Sequence, residues 1–315
     1  MMVDPMVILF VCTGNTCRSP MAEAMFRRKL QERKLDADVI TVSAGIAAVD
    51  GAPPAAATVE RLRKQGISLE GFRTRVLTSA LCEKAHLILV LDESHEDFIW
   101  EKKPAHGDKM RLLGQFLFSG PPYGIPDPLG GGSAEYEKTY YLIDSAIENL
   151  LHRWDSLKAR YYSPGQKVVA LGADHRGYAV KEWLSGWLTS AGYQIIDCGT
   201  NSEESCDHPV YALHVAELVS QGQADRGILV CSTGHGMILA ANKVPRIRAI
   251  LPLNEEHAHL ARSHNNANIL AFGAGFHKRE AIESITREWL RTAFLGGNYQ
   301  RRVAMISRYE NSLRC

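Results

Sequence analysis

Residues 11–24 read "VCTGNTCRSPMAEA". Two cysteines, an arginine and a serine stand in a polar, glycine- and asparagine-containing segment, where a thiol is hard to hide. The run before it, "MVILFVC" at 6–12, is β-branched and aromatic, and reads as a buried strand. After it, Ser19 is a candidate N-cap with Pro20 at the first helical position. The segment is therefore a strand-to-helix turn whose free amides and helix dipole favour an anion.

The same grammar repeats along the chain. Strand signals near "DVITV" and at 86–91 alternate with helices, one of which starts near Pro54 and ends near Gly66. A Pro/Gly-rich loop at 119–132 precedes a long helix with apolar residues at Tyr136, Tyr140, Ile143, Ile147, Leu150 and Trp154. After "KARYYSPGQK" the pattern restarts with "KVVALGAD" and runs through four further strands. Alternating units of this kind predict an α/β chain of two doubly wound parallel-sheet domains. The boundaries read as 1–157, a linker at 158–166, and 167–315. In such sheets ligands bind beyond the carboxyl ends of strands, where the cysteine loops at 12–18 and 231–236 fall.

Composition narrows the partners. The 315 residues are 45% hydrophobic and 23% charged, with a net charge of +1, so neither nucleic acid nor a membrane surface is expected. No apolar run approaches the roughly 18 residues of a membrane span, and the start of the chain lacks the basic region of a signal peptide. Seven cysteines in irregular spacing suit a reducing cytoplasm better than a disulfide framework. Paired Cys-x-x-Cys motifs are absent from the sequence, so no metal site is expected.

Cys12 and Arg18 have five residues between them, with Ser19 next. A cation and a helix N-terminus lower a thiol pKa, Arg18 offers a planar fork for two phosphate oxygens, and Ser19 can donate to the sulfur. Gly14 and Asn15 can adopt the backbone that turns successive amides inward. This set suits displacement at a phosphoryl group through a cysteinyl-phosphate, with Asp127 as the acid for the leaving group.

"VCTGNTCRSPMAEA" with Asp127-Pro128 resembles the low-molecular-weight protein tyrosine phosphatase family over about 7–155. The resemblance implies Cys12 as nucleophile, Arg18 as phosphate clamp and Asp127 as general acid. Thr13, Gly14, Asn15, Thr16, Cys17 and Ser19 complete the phosphate loop, and Cys17 is implied as the partner of a protective Cys12 disulfide. Thr16 and "DPLGGG" look like the protein-arginine phosphatase branch, so a phosphoarginine protein is preferred over a phosphotyrosine one as substrate. An arsenate reductase shares the loop but needs cysteines after a later strand, whereas Cys82 lies before one.

In the second half, "CSTGHGMILAANKVPRIRAI" starts with Cys231 at a strand end and continues into Gly234 and Gly236, whose amides can approach a ligand and hold an oxyanion. Together with "GADHRG", "ARSHNNANILAFGA" and "GGNYQRRV" it is similar to the ribose-5-phosphate isomerase type B and galactose-6-phosphate isomerase family, over about 167–309. That resemblance implies Cys231 as the base, Thr233 and the loop amides on the enediolate, and His264 in ring opening. Asp174, His175, Asn265 and Arg302 would contact a small sugar phosphate. It also implies a homodimer with shared sites, and no metal or organic cofactor. Ser232 and His235 depart from the family pattern, and Gly275 and Asn298 replace two phosphate-gripping arginines that Lys278 or Arg279 would have to cover. A catalytically silent dimerisation or sensing module is the alternative reading of this half.

Overall fold

The computed structural model describes residues 5–117, 124–161 and 167–312, and the chain divides near residue 165 into two compact units. The first unit runs β1 (Met6–Cys12), α1 (Arg18–Glu32), β2 (Val39–Gly45), α2 (Ala56–Arg63), α3 (Ser79–Lys84), β3 (Leu87–Val90), α4 (Glu93–Lys102), β4 (Met110–Leu112), α5 (Ser133–His152) and α6 (Trp154–Tyr161). Its four strands are all parallel, in the order β2-β1-β3-β4. β1 is almost wholly buried because it is an inner strand with both faces covered, which is why its sequence is a continuous apolar run rather than an alternating one.

Behind β1, Phe10 meets Phe26 of α1 edge to face at 5.5 Å, and Phe26 meets Trp154 at 5.7 Å. The three- and four-residue spacing of Tyr136, Tyr140, Ile143, Ile147 and Leu150 buries one face of α5 as expected. Trp154 is buried too, but it opens α6 after a break at Arg153. Residues 158–161, read as the start of a linker, form the last turn of α6, and 162–166 lie outside the described residues.

The second unit contains β5 (Val168–Ala173), α7 (Tyr178–Ser190), β6 (Gln194–Asp197), α8 (His208–Ser220), β7 (Arg226–Cys231), α9 (His235–Ala241), β8 (Ala249–Ile250), α10 (Glu255–Asn265), β9 (Ile269–Gly273), α11 (Arg279–Arg291) and α12 (Asn298–Ser312). The parallel order is β6-β5-β7-β9-β8. Alternate residues of each strand feed separate cores: Val168, Ala170 and Leu229 pack in one, Val169, Leu171 and Ile228 in the other. A sheet with an apolar core on each side is the doubly wound arrangement the sequence predicts.

Strand order reverses between β1 and β3 and again between β5 and β7, and both cysteine loops leave the sheet at these switch points. Helices α3 and α4 and strand β4 have weak sequence signals because they are only 6, 10 and 3 residues long. The Asp92-x-x-His95 pattern is the local mark of α4: Asp92 accepts from the Ser94 and His95 amides while the His95 ring accepts from the Asp92 amide.

Candidate active sites

The loop after β1 is built around Asn15. Its φ of 53° is left-handed, a backbone that asparagine tolerates better than most residues. Its side-chain amide donates to Ser19 Oγ (2.9 Å) and Ser43 Oγ (2.8 Å), and its Oδ1 accepts from the Arg75 amide (2.9 Å). Ser43 in turn donates to the buried Glu23 (2.6 Å). Gly45 of β2 allows the close approach, since a Cβ there would sit 2.5 Å from the Thr13 carbonyl oxygen.

The Cys12 sulfur accepts from the Asn15 amide at 3.3 Å and lies 2.9 Å from Ser19 Oγ. Ser19 Oγ accepts from Asn15, and its single proton faces two acceptors, the Cys12 sulfur at 2.9 Å and the Ala44 carbonyl at 3.4 Å. This also settles how α1 begins. Ser19 is not the N-cap; Cys17 is, with no side-chain cap, because the Ser19 hydroxyl is engaged with Cys12.

Arg18 is 3% exposed, and its two terminal nitrogens are engaged while its Nε has no hydrogen-bond partner. Nη1 donates to Asp92 Oδ2 (2.5 Å) and the Ile125 carbonyl (3.1 Å), and Nη2 to Asp127 Oδ2 (2.6 Å). The structure therefore brings together Cys12, Arg18, Ser19 and Asp127, which are up to 115 residues apart. It also corrects one expectation. Burial pushes the Cys12 thiol up from its ordinary value, against the opposing pull of Ser19, Arg18 and the Asn15 amide. The arginine that was to lower it shares its charge with two carboxylates. The Cys17 thiol lies 3.3 Å from Tyr136 Oη of α5, and Cys12 and Cys17 are both free thiols.

Asp92, His95 and Tyr136 are site residues that sequence reasoning missed. Burial opposes the Asp92 charge, but His95, Ser94 and Arg18 outweigh it and hold its carboxyl below the usual range. His95 is fully buried, and its pKa is pulled down to about 4 from 6.5 by that burial. Between those values an unfolded chain binds a proton that the folded one refuses. Stability of the first unit should then fall as pH drops from about 6.5 to about 4, by up to roughly 3 kcal/mol, and level off below. Urea midpoints measured across this window should lose most of that slope in His95→Gln; an unchanged slope would assign it elsewhere.

In the second unit, Cys231 is 5% exposed and its sulfur accepts from the Gly234 amide at 3.1 Å. Gly234 has φ of 83°, and a Cβ there would meet Leu251 at 2.3 Å; a Cβ on Gly236 would meet His208 at 2.4 Å. Thr233 is exposed beside them and accepts from the His235 amide. At the neighbouring strand end, Asp174 accepts from the Arg176 and Gly177 amides at 2.9 and 3.1 Å, and His175 Nδ1 accepts from the Cys206 amide at 3.2 Å.

His264, near the end of α10, stacks on Tyr299 of α12 with ring centroids 4.1 Å apart, and Arg302 lies 5.8 Å from the same ring. Asn265 is exposed at the end of α10. Among the described residues no hydrogen bond joins this group to Cys231. Gly275 donates its amide to the Ser232 carbonyl (3.1 Å), so one lost-arginine position borders the Cys231 loop directly. Lys278 and Arg279, the two cations offered in place of the lost arginines, are both exposed, and the Arg279 guanidinium lies over Trp183 at 5.6 Å.

These two sites define a chain of two α/β domains, each presenting a cysteine and inward-turned amides at the switch point of a parallel sheet. The low molecular weight phosphotyrosine protein phosphatase family matches residues 7–161, and the Ribose/Galactose Isomerase family matches 169–306. The chain belongs to the ribose/galactose isomerase family through its second unit and carries a low-molecular-weight phosphatase domain as its first. Ribose-5-phosphate isomerase B of Escherichia coli is 41% identical over 144 residues, which cover 46% of this chain and 97% of that protein. Among solved structures, ribose-5-phosphate isomerase B of Clostridium thermocellum is 42% identical with a TM-score of 0.46, covering 46% of this chain and 99% of that one. The type B enzyme of Trypanosoma brucei is 37% identical with a TM-score of 0.45, over 46% and 99% of the two chains.

Proposed function

We propose that the first unit is a cysteine-dependent protein phosphatase and the second an aldose–ketose sugar-phosphate isomerase. The convergence of Cys12, Ser19 and Arg18 with Asp127 at the end of β1 carries the first assignment. Arg18 exchanges its Asp127 contact for phosphoryl oxygens. The Cys12 sulfur attacks phosphorus, an S–P bond forms, the bond to the leaving group breaks, and Asp127 supplies the leaving group with a proton. Water then attacks the cysteinyl-phosphate, Asp127 takes its proton, and inorganic phosphate leaves with the thiolate restored.

Phosphoarginine is the preferred substrate. Thr16 is half-buried and short, leaving room for a planar guanidinium, and Leu129 is 67% exposed with three glycines after it rather than an aromatic platform. Thr16→Ile should shift the ratio of kcat/KM from phosphoarginine toward phosphotyrosine peptides by roughly 10-fold or more, the usual scale for filling a pocket. A ratio that does not move would remove the arginine assignment. The arsenate reductase reading gains no support, since Cys82 is buried in α3 ahead of β3.

For the isomerase, the Cys231 sulfur beside the Gly234 amide is the supporting observation. Cys231 moves the proton between C1 and C2, Thr233 and the loop amides hold the enediolate oxygens, and His264 assists ring opening. Asp174, His175, Asn265 and Arg302 hold the sugar phosphate, the substrate class in the name of the Escherichia coli relative. With Gly275 and Asn298 in place of arginines, and Arg279 placed over Trp183, phosphate anchoring is weakened. Each lost charge-assisted bond costs roughly 1.5–3 kcal/mol, so ribose 5-phosphate should show a high KM that Asn298→Arg lowers. Conversion equal in wild type and Cys231→Ala would favour the silent-module reading instead.

A homodimer through the second unit is the expected assembly, supported by the exposure of Met305 (61%), Ile306 (54%) and Tyr309 (66%) on α12. A monomer in sedimentation would overturn it. We place the chain in the cytoplasm, which suits its free described cysteines. Among the described residues, no helix is long and apolar enough to cross a membrane.

A further inference from the structure

We propose that the Thr13 hydroxyl donates a hydrogen bond to a phosphoryl oxygen of the substrate, and that His95 is the positioning residue that fixes it as a donor. The inference rests on the phosphatase reading of the first unit.

The argument is one of proton placement. A threonine hydroxyl has one proton and two lone pairs, and a neutral imidazole has one N–H and one bare nitrogen. The Asp92 backbone N–H points at His95 Nδ1 at 3.1 Å, so Nδ1 is the acceptor and the ring proton sits on Nε2. Nε2 lies 2.9 Å from Thr13 Oγ1, and therefore donates to it. Protonating the ring does not change this. The added proton goes to Nδ1, which has Asp92 Oδ1 at 3.1 Å, and Nε2 remains a donor. Burial keeps the ring neutral near pH 7 in any case.

The second neighbour of Thr13 Oγ1 is Arg18 Nη2, at 3.5 Å. A guanidinium can only donate. Both groups facing the oxygen are thus donors, and both take up its lone pairs. The hydroxyl proton has to point away from them, toward the open side of the loop, where Thr13 is exposed. Arg18 Nη2 is also the atom on Asp127, which is the contact that a phosphoryl oxygen would replace. An oxygen held there would lie beside the Thr13 proton. His95 reaches the site from across the β1/β3 switch, and shares Asp92 with Arg18, so one helix N-terminus positions both the clamp and the added donor.

The test uses the full chain with a phosphorylated peptide as substrate and inorganic phosphate as competitive inhibitor. Thr13→Val keeps the shape and removes the hydroxyl. It should lower kcat/KM and raise the phosphate inhibition constant, each by roughly 10- to 100-fold, the worth of one hydrogen bond to a charged group. His95→Leu should produce a similar loss, His95→Gln, which can still donate, should recover part of it, and the double variant His95→Leu with Thr13→Val should be no worse than Thr13→Val alone. If His95→Leu does not fold, Thr13→Val and the nitrogen shifts of the His95 ring still decide the matter. A wild-type phosphatase whose Thr13→Val variant binds phosphate and turns over normally would overturn the proposal. So would multiplicative losses in the double variant, or a ring proton found on Nδ1. A wild-type chain with neither turnover nor phosphate binding would overturn the phosphatase reading itself.

Discussion

Cys12→Ser should fold as the wild type does and lose phosphatase turnover by on the order of 10⁴-fold or more. The two parts of this expectation have separate physical causes. Stability is preserved because a serine oxygen occupies nearly the same volume at the end of β1, and can still accept from the Asn15 amide and meet Ser19. Activity is lost because a serine hydroxyl remains protonated where a thiol ionises, and the groups bonded to the Cys12 sulfur, Ser19 Oγ and the Asn15 amide, stabilise an anion but do not remove a proton. Steady-state kinetics on phosphopeptides, with melting curves of both proteins, check both parts. Substantial turnover by a folded Cys12→Ser chain would remove Cys12 as nucleophile.

Arg18→Ala should be almost as damaging, and in two ways. The guanidinium is 3% exposed and holds Asp92, Asp127 and the Ile125 carbonyl. Removing it leaves Asp92 partly buried without its cation, an arrangement that costs about 3 kcal/mol when one member of a buried pair is lost. Asp127 is 38% exposed, so water compensates much of its share. The second effect is on the reaction: two fixed donors for the equatorial phosphoryl oxygens disappear, and kcat/KM should fall by at least about 10³-fold. Arg18→Lys separates these contributions. It returns the charge without the planar fork, so it should recover stability better than turnover. Equal recovery of both would mean that charge alone, rather than the geometry of the fork, is what the site requires.

Neutralising the clamp also bears on the thiol. With Asp92 and Asp127 on Arg18, burial dominates and the Cys12 thiol is pushed up.

Most of what positions the first site is local, and for that reason legible. The apolar run of β1, the glycine and asparagine of the turn, and the helix after it are each encoded within a few residues of Cys12. Asn15 takes the left-handed backbone; Gly14, proposed for the same service, does not. The α5 stripe and the Gly66 turn, with φ of 68°, are likewise matters of neighbouring residues. The second unit is read the same way, from "GADHRG" to "GGNYQRRV". In both, side-chain period and turn chemistry fix strand, turn and helix, and the parallel sheet follows from their alternation.

Contacts between distant residues were decided only by the tertiary structure. His95 meets Thr13 across 82 positions, Cys17 meets Tyr136 across 119, and Arg18 meets Asp92 across 74. None of these pairs leaves a mark in local periodicity, since each depends on how β3 and α5 settle against β1. Likewise, nothing in "FHKRE" indicates that Arg279 turns to Trp183. The sequence by itself determined two cysteine-bearing strand-to-helix loops on two parallel sheets, because those depend on short-range backbone preference and hydrophobic spacing. Which charges neutralise Arg18, which proton faces out from Thr13, and how burial shifts Cys12 depend on packing across the β1/β3 switch, where distance and dielectric are set by the fold.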